Sequence, residues 1–416
     1  MTINLWHLIP LVALLVVACT ANGDVHITDF GAKPNDDRLD TAAIQAAIDA
    51  CSAKGNGAVI IPAGKFISGA LKLRDKTHIR LEKGAVLQGS ADWHDYGKGG
   101  WIDSFMTGEG IHGLKIEGPG IIDGADCSNP AGEEGFRGPH IFHLDKCSDI
   151  SFKNLTIRNS SNYAIYNVGC TDGVLDHVTI LAGHDGLHAQ ACRGYRISHC
   201  DFRTGDDCVA GCDSQDFRFE NSRFSSSCNA FRFGCLNLVV RKCSIQGPGE
   251  YPHRVSHRNN MLSAFEHFAP EDRHPKLPSD QWLIEDVTIK NVERVYSCDF
   301  ERGLWQTGQP PRRLRFHRVN ATEVVNPLHI IGDKARGLDL TMDDCSISMA
   351  KGTVGRPVMD ITTFGKITLS RVKLENDGTS PALHAQNGGE VILDKLLILP
   401  DRKDAIVLEK VDHVKR

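Results

Sequence analysis

A 22-residue step runs through the middle of this chain and constrains its fold more than any other feature. One column at that step is Asp185, Asp207, Asn229; a second, three residues on, is His188, Ala210, Arg232. The apolar residues keep the same rhythm. Phe152, Leu175, Ile197, Phe219 and Val240 advance by 23, 22, 22 and 21, and Ile157, Ile180, Phe202, Phe224 and Ile245 by the same increments. A period of this size means a repeat architecture, in which each unit buries its apolar face against the next. Residues one unit apart then meet on one face. Asp206 beside Asp207 therefore brings a third carboxyl to the patch made by Asp185 and Asp207, and like charges at close range push pKa values apart.

Inside each unit the apolar and polar residues alternate, β-branched residues are frequent, and Gly, Asn, Asp and Ser separate the short runs, a pattern of strands. Leucine-rich repeats share the period but need a leucine framework that is absent. The expected fold is all-β: a single-stranded, right-handed parallel β-helix with one turn per unit and a short N-terminal capping helix. That helix is expected over residues 40–54, with Asp40 as N-cap, Ile44, Ala47, Ile48 and Cys51 on its apolar face, and Gly55 ending it. Strands are expected over Ala58–Ile61, Gly69–Leu73, His78–Leu81 and Ala85–Leu87, a loop over 91–110, and regular coils over 114–246. Residues 247–281 break the period with five prolines and four histidines. A stretch that long is more often functional than idle, and its position allows it to fold over the carboxylate patch. Coils resume at Trp282 and run to about residue 400, before a charged cap or tail.

Length alone would suggest several domains, but a solenoid grows by stacking, so residues 24–416 are expected to be one domain. A net charge of −5 suggests no nucleic-acid partner. Residues 1–23 read as an export signal: Leu8 to Ala18 is apolar and too short to span a bilayer. Val16-Val17-Ala18-Cys19 resembles a lipobox with Cys19 as the lipidated residue; simple cleavage between Ala18 and Asp24 is the other reading. Either makes the protein exported, whether secreted, periplasmic or lipid-anchored. Thirteen cysteines follow Cys19. Most read as stacked, buried thiols, with Cys208 and Cys228 the best disulfide candidates. No cysteine or histidine set has zinc spacing, and no metal, cofactor or second copy is expected.

Several segments carry a family resemblance. Asp29-Phe30-Gly31-Ala32 and the run Asp40 to Ile48 resemble the start of pectinase-type β-helices. Ile61-Pro62-Ala63-Gly64, the run Leu81 to Ser90, Gly118-Pro119-Gly120-Ile121-Ile122-Asp123-Gly124, Asp185-Gly186 and Gly205-Asp206-Asp207-Cys208 are similar to polygalacturonase-like glycoside hydrolases of family 28. The resemblance implies an inverting hydrolase of glycosidic bonds, commonly of pectin, with Asp206 as general acid and Asp185 and Asp207 holding and activating the water.

The departures from that pattern fall on substrate-binding positions. Gly183-His184 stands where the family has Asn-Thr. Cys228-Asn229-Ala230 stands where it has Gly-His-Gly. The family's Arg-Ile-Lys has no clear counterpart: Tyr296-Ser297-Cys298 occupies the place, with Arg302 a weak stand-in. Arg232 suits a sugar carboxylate or sulfate, and equally a surface ion pair. His188 fits substrate contact or a surface histidine, and Asn229 fits substrate contact or a stacked polar ladder. The expected partner is an acidic polysaccharide or oligosaccharide. Two other classes stay open, a polysaccharide lyase on the same fold and a carbohydrate-binding β-helix without activity.

Overall fold

A computed structural model describes residues 23–181 and 183–416. The segment read as an export signal, Cys19 included, lies outside the described residues. Strands dominate the rest, and every named pair runs parallel, each strand bonded to those one coil before and after it. The chain therefore climbs as a parallel β-helix.

The apolar columns of the sequence are the register of the coils. Ile157 pairs with Ile180, Ile180 with Phe202, Phe202 with Phe224 and Phe224 with Ile245. Phe152, Leu175, Ile197, Phe219 and Val240 form a second continuous row. A parallel ladder with a buried inner face tolerates no slip, because a shift of one residue would turn every side chain outward. Aromatic rings stack along the axis inside the coil: Phe202 on Phe224 at 5.2 Å, Tyr195 on Phe217 at 4.8 Å and Phe231 on Phe265 at 5.1 Å.

The helix Thr41–Lys54 forms with Ile44, Ala47, Ile48 and Cys51 buried and Gly55 in the left-handed conformation at its end. Asp40 differs from expectation. It precedes the helix but makes no side-chain cap; its Oδ1 accepts the Lys33 amide instead.

Three irregular stretches contain more strand than their composition suggests. Within 91–110, Ser104–Glu109 pairs with His140–Asp145; the glycines and tryptophan that suggested a loop lie before it. Within 247–281, Met261–His267 bridges Asn229–Arg241 and Val292–Asp299, so the prolines sit in two loops flanking one more coil. The charged C-terminus is the strand Ile406–Lys415, paired with Leu383–Asp394, where charge blunts the last exposed edge. All thirteen described cysteines are free. The Cys208–Cys228 bridge is not formed: Cys208 Sγ points into the coil, towards the carbonyls of Phe202 and Ser225.

Candidate active site

The second column lies in one strand stack. His188 pairs with Ala210, and Ala210 with Arg232. Asp185 and Asp207 sit in the turns just before those strands and Asn229 opens its strand, with Gly186 N donating to Asp207 O and Cys208 N to Asn229 O. Asp206 shares the Asp207 turn. Its carbonyl accepts from Thr204 Oγ1 at 2.8 Å and from Ser226 Oγ. The glycine of Gly-Asp-Asp is required by close approach: a Cβ on Gly205 would lie 2.7 Å from Gly183 O and 2.9 Å from Pro252 O.

The three carboxyls converge, with an oxygen of each within 4.8 Å of the others. Asp185 and Asp207 are buried, and Asp206 keeps 13% of its side chain exposed. Asp207 is held twice: Arg232 Nε donates to Oδ2 at 2.6 Å and Asn229 Nδ2 to Oδ1 at 2.8 Å. A 2.8 Å hydrogen bond joins Asp185 Oδ2 to His188 Nδ1, and its other oxygen has no hydrogen-bond partner among the described residues. Asp206 lies among cations and imidazoles: His184 Nδ1 and His253 Nε2 each at 3.8 Å, Arg137 Nη2 at 4.0 Å.

These surroundings push the carboxyls apart. Burial, then the charges of Asp206 and Asp207, raise Asp185 well above the usual carboxylate range. Burial also raises Asp207, Arg232 opposing it. Burial works in the same sense on Asp206, but His184, Arg232 and His253 outweigh it and hold that carboxyl below the usual range. Of the three carboxyls, Asp185 is therefore the one whose protonated form its surroundings favour most. His188 is kept neutral by burial and by Arg273 and Arg232, its pKa well below the ordinary value. The clustered oxygens would also accept a cation, a place Arg232 already serves electrostatically.

A cavity of about 320 Å³ abuts the trio. His188 and Arg232 line it, each with its far side bonded to a carboxylate. Tyr163 stacks on His188 at 4.5 Å, 5° from parallel, and the Arg232 guanidinium lies over Phe268 at 4.6 Å and Trp305 at 5.0 Å. Arg137 and Arg273 line the same cavity. Arg137 is bonded to Glu134, whereas Arg273 is exposed and has no carboxylate within 4.0 Å among the described residues. A larger hollow of about 410 Å³, between Asp149, Arg196 and Arg218 on another strand stack, touches none of the trio's partners.

Residues 51–227 match the model for glycosyl hydrolases family 28. Over that stretch the chain is similar to family 28. A Vitis vinifera protein named as a probable polygalacturonase is 29% identical over 221 residues, 47% of this chain and 45% of that protein, so the chain spans under half of it. An exopolygalacturonase of Platanus acerifolia is 26% identical over 319 residues, 72% of this chain and 81% of that one. The solved structure of a Yersinia enterocolitica family 28 exopolygalacturonase superposes with TM-score 0.61 at 17% identity, covering 94% of this chain and 78% of that one, a likeness of fold.

Against family 28, each departure has a structural place. His184, standing for the family's Thr, faces Asp206. Asn229, standing for its His, is 4% exposed and turns its amide nitrogen to Asp207. Tyr296 and Cys298 are buried in the coil and reach no cleft. Arg302 is exposed and does not line the cavity. Arg137, His253 and Arg273 were not legible as site residues. They lie in loops without periodicity, and only the arching of 247–281 back over the Asp206 turn brings His253 there.

Proposed function

We propose that the protein hydrolyses glycosidic bonds of a pectin-like, acidic polysaccharide by acid–base catalysis. One observation carries this: three carboxyls converge on adjacent coils with one of them part-exposed beside a cavity. A scaffold has no use for such mutual repulsion, whereas proton transfer does. Asp206, the exposed member, gives its proton to the leaving oxygen, taking it within the trio once a sugar displaces solvent. Asp185 and Asp207 hold and activate the water. Asn229 and Arg232 fix Asp207, and His188 orients Asp185; Arg232 also presents its guanidinium to the sugar. The family resemblance carries inversion with it. Inverting enzymes usually keep their carboxyls ~6.5–9.5 Å apart, and here the nearest oxygens are closer. Inversion therefore rests on the family resemblance and not on this spacing.

The lyase alternative needs a basic side chain that gives up its proton. Arg232, the cation at the trio, moves the other way: burial would lower its pKa, and Asp207, Asp185 and Asp206 together raise it. We read residues 24–416 as one domain and the coil as right-handed, as crossovers between parallel strands nearly always are. The helix Thr41–Lys54 packs on the first strands, which supports its closing the first coil. We further propose an exported, monomeric protein with signal 1–23, lipidated at Cys19 or cleaved, in line with an extracellular polymer as substrate. Incubation with polygalacturonate and other acidic oligosaccharides tests the main reading: new reducing ends without unsaturated sugars support hydrolysis. Unsaturated ends, or binding without cleavage, would replace it by the lyase or the binding protein. NMR of the first-formed anomer tests inversion.

A further inference from the structure

The cavity beside the trio lies along the stack Ser104–Glu109, His140–Asp145, Ile165–Val168, Leu187–Gln190, Val209–Glu220, Asn229–Arg241, Met261–His267 and Val292–Asp299, one strand per coil. Eight coils at ~4.8 Å spacing would make a groove long enough for an extended polysaccharide segment. Both its ends are stopped by tryptophans that lean inward. Trp101, just before the first strand, leans forward over the next coils and meets His140 at 5.3 Å and Tyr163 at 5.6 Å, both edge to face. Trp305, just after the last strand, leans back two coils to the Arg232 guanidinium at 5.0 Å and Phe268 at 6.3 Å. The two rings are 40% and 46% exposed and line the same cavity.

One flank is closed as well. The loop before His140 and the loop before Met261 start five coils apart, yet they meet: Arg254 pairs with Asp126 and lies 5.6 Å over the Phe136 ring, which stacks on His184 at 5.2 Å. What remains, about 320 Å³, is at the lower end of the ~300–1,000 Å³ usual for small-ligand sites. A volume of that size has room for about one or two sugar rings and not for an extended polysaccharide segment.

An enzyme that cuts inside a polymer needs a groove open at both ends, so that chain runs through on either side of the scissile bond. We propose that this pocket instead receives the end of a chain, that Trp101 and Trp305 stop the polymer from running through it, and that the protein trims one or two terminal sugars per encounter. The proposal rests on the hydrolase reading. Each event breaks one C–O bond: the water's hydroxyl goes to the anomeric carbon and a proton, delivered by Asp206, to the departing oxygen. The tryptophan faces supply apolar contact for sugar rings at little entropic cost.

The test is a time course on polygalacturonate with product size and solution viscosity read together. Trimming gives only mono- or disaccharide from the earliest samples, while viscosity hardly falls. The double variant Trp101→Ala, Trp305→Ala, checked for an unchanged melting transition, should release intermediate lengths and lose viscosity several-fold faster per bond cut. A ladder of intermediate oligomers from the unaltered protein overturns the proposal and leaves the hydrolase reading intact. No cleavage of polymer or short oligomers overturns the hydrolase reading, and this proposal with it. The unaltered protein alone decides the matter, whether or not the double variant folds.

Discussion

Arg232 donates from Nε to Asp207 Oδ2 at 2.6 Å, one coil away, with Asp207 fully buried. A cation that lines the cavity is thus also the clamp on a carboxylate. Breaking a buried pair leaves an uncompensated charge, which costs about 3–5 kcal/mol. Arg232→Ala is expected to lower both the melting temperature and kcat. A pure substrate grip would raise KM and leave kcat and stability unchanged, so kinetics and thermal melting of the same preparation separate the roles.

Asp206→Asn is expected to lower turnover by roughly 10²–10⁴ while the melting transition is kept. An amide donates no proton to the leaving oxygen, and among the described residues the nearest cationic or imidazole groups to the Asp206 carboxylate are His184, His253 and Arg137 at 3.8–4.0 Å. Unchanged turnover on the true substrate would move the acid role elsewhere.

Asp185 carries a pH signature. Its folded-state pKa is raised, by burial first and by its two neighbours next. A raised carboxyl contributes its stability below the unfolded value, ~3.9, and loses it as pH rises through the folded value. The melting temperature of Asp185→Asn relative to the parent should therefore rise with pH, because the amide never ionises. Melting curves of both proteins from acidic to alkaline buffer check the sign; a constant difference would mean that Asp185 does not titrate abnormally.

Arg273 is the cavity's cation without a carboxylate partner among the described residues. Its bonded neighbour is Gln190, at 3.3 Å. Arg273→Ala is expected to raise KM for an anionic oligosaccharide well above its effect on a matched neutral one, with melting unchanged. Equal effects on both sugars would assign Arg273 to the surface.

Phe224 is buried between the rings of Phe202 and Phe231, at 5.2 and 4.7 Å. Phe224→Ala should cost about 3–5 kcal/mol, read by denaturant unfolding, and it should disturb the Asp206 turn through Phe202.

The 22-residue step was sufficient for the coils, because a parallel ladder places equivalent residues at equal intervals and burial forbids a slip. The apolar columns and the pairing of His188, Ala210 and Arg232 follow from that alone. Asp185, Asp206 and Asp207 could be placed together for the same reason. Their proton distribution could not, because it depends on His184, His253 and Arg137 standing about 4 Å from Asp206. Nor could the strands Ser104–Glu109 and Met261–His267, whose short alternating runs lie between glycine- and proline-rich neighbours.

By itself the sequence determined the repeating coil, its inner columns and the carboxylate trio, since backbone hydrogen bonding between coils turns a periodic pattern into positions in space. Tertiary structure decided what surrounds the trio. Trp101, Arg137, His253, Arg273 and Trp305 lie in segments with no period, and their places depend on loops five coils apart closing on each other through contacts such as Arg254 with Asp126 and Phe136. Those contacts are non-local and made by side chains, so no spacing along the chain records them.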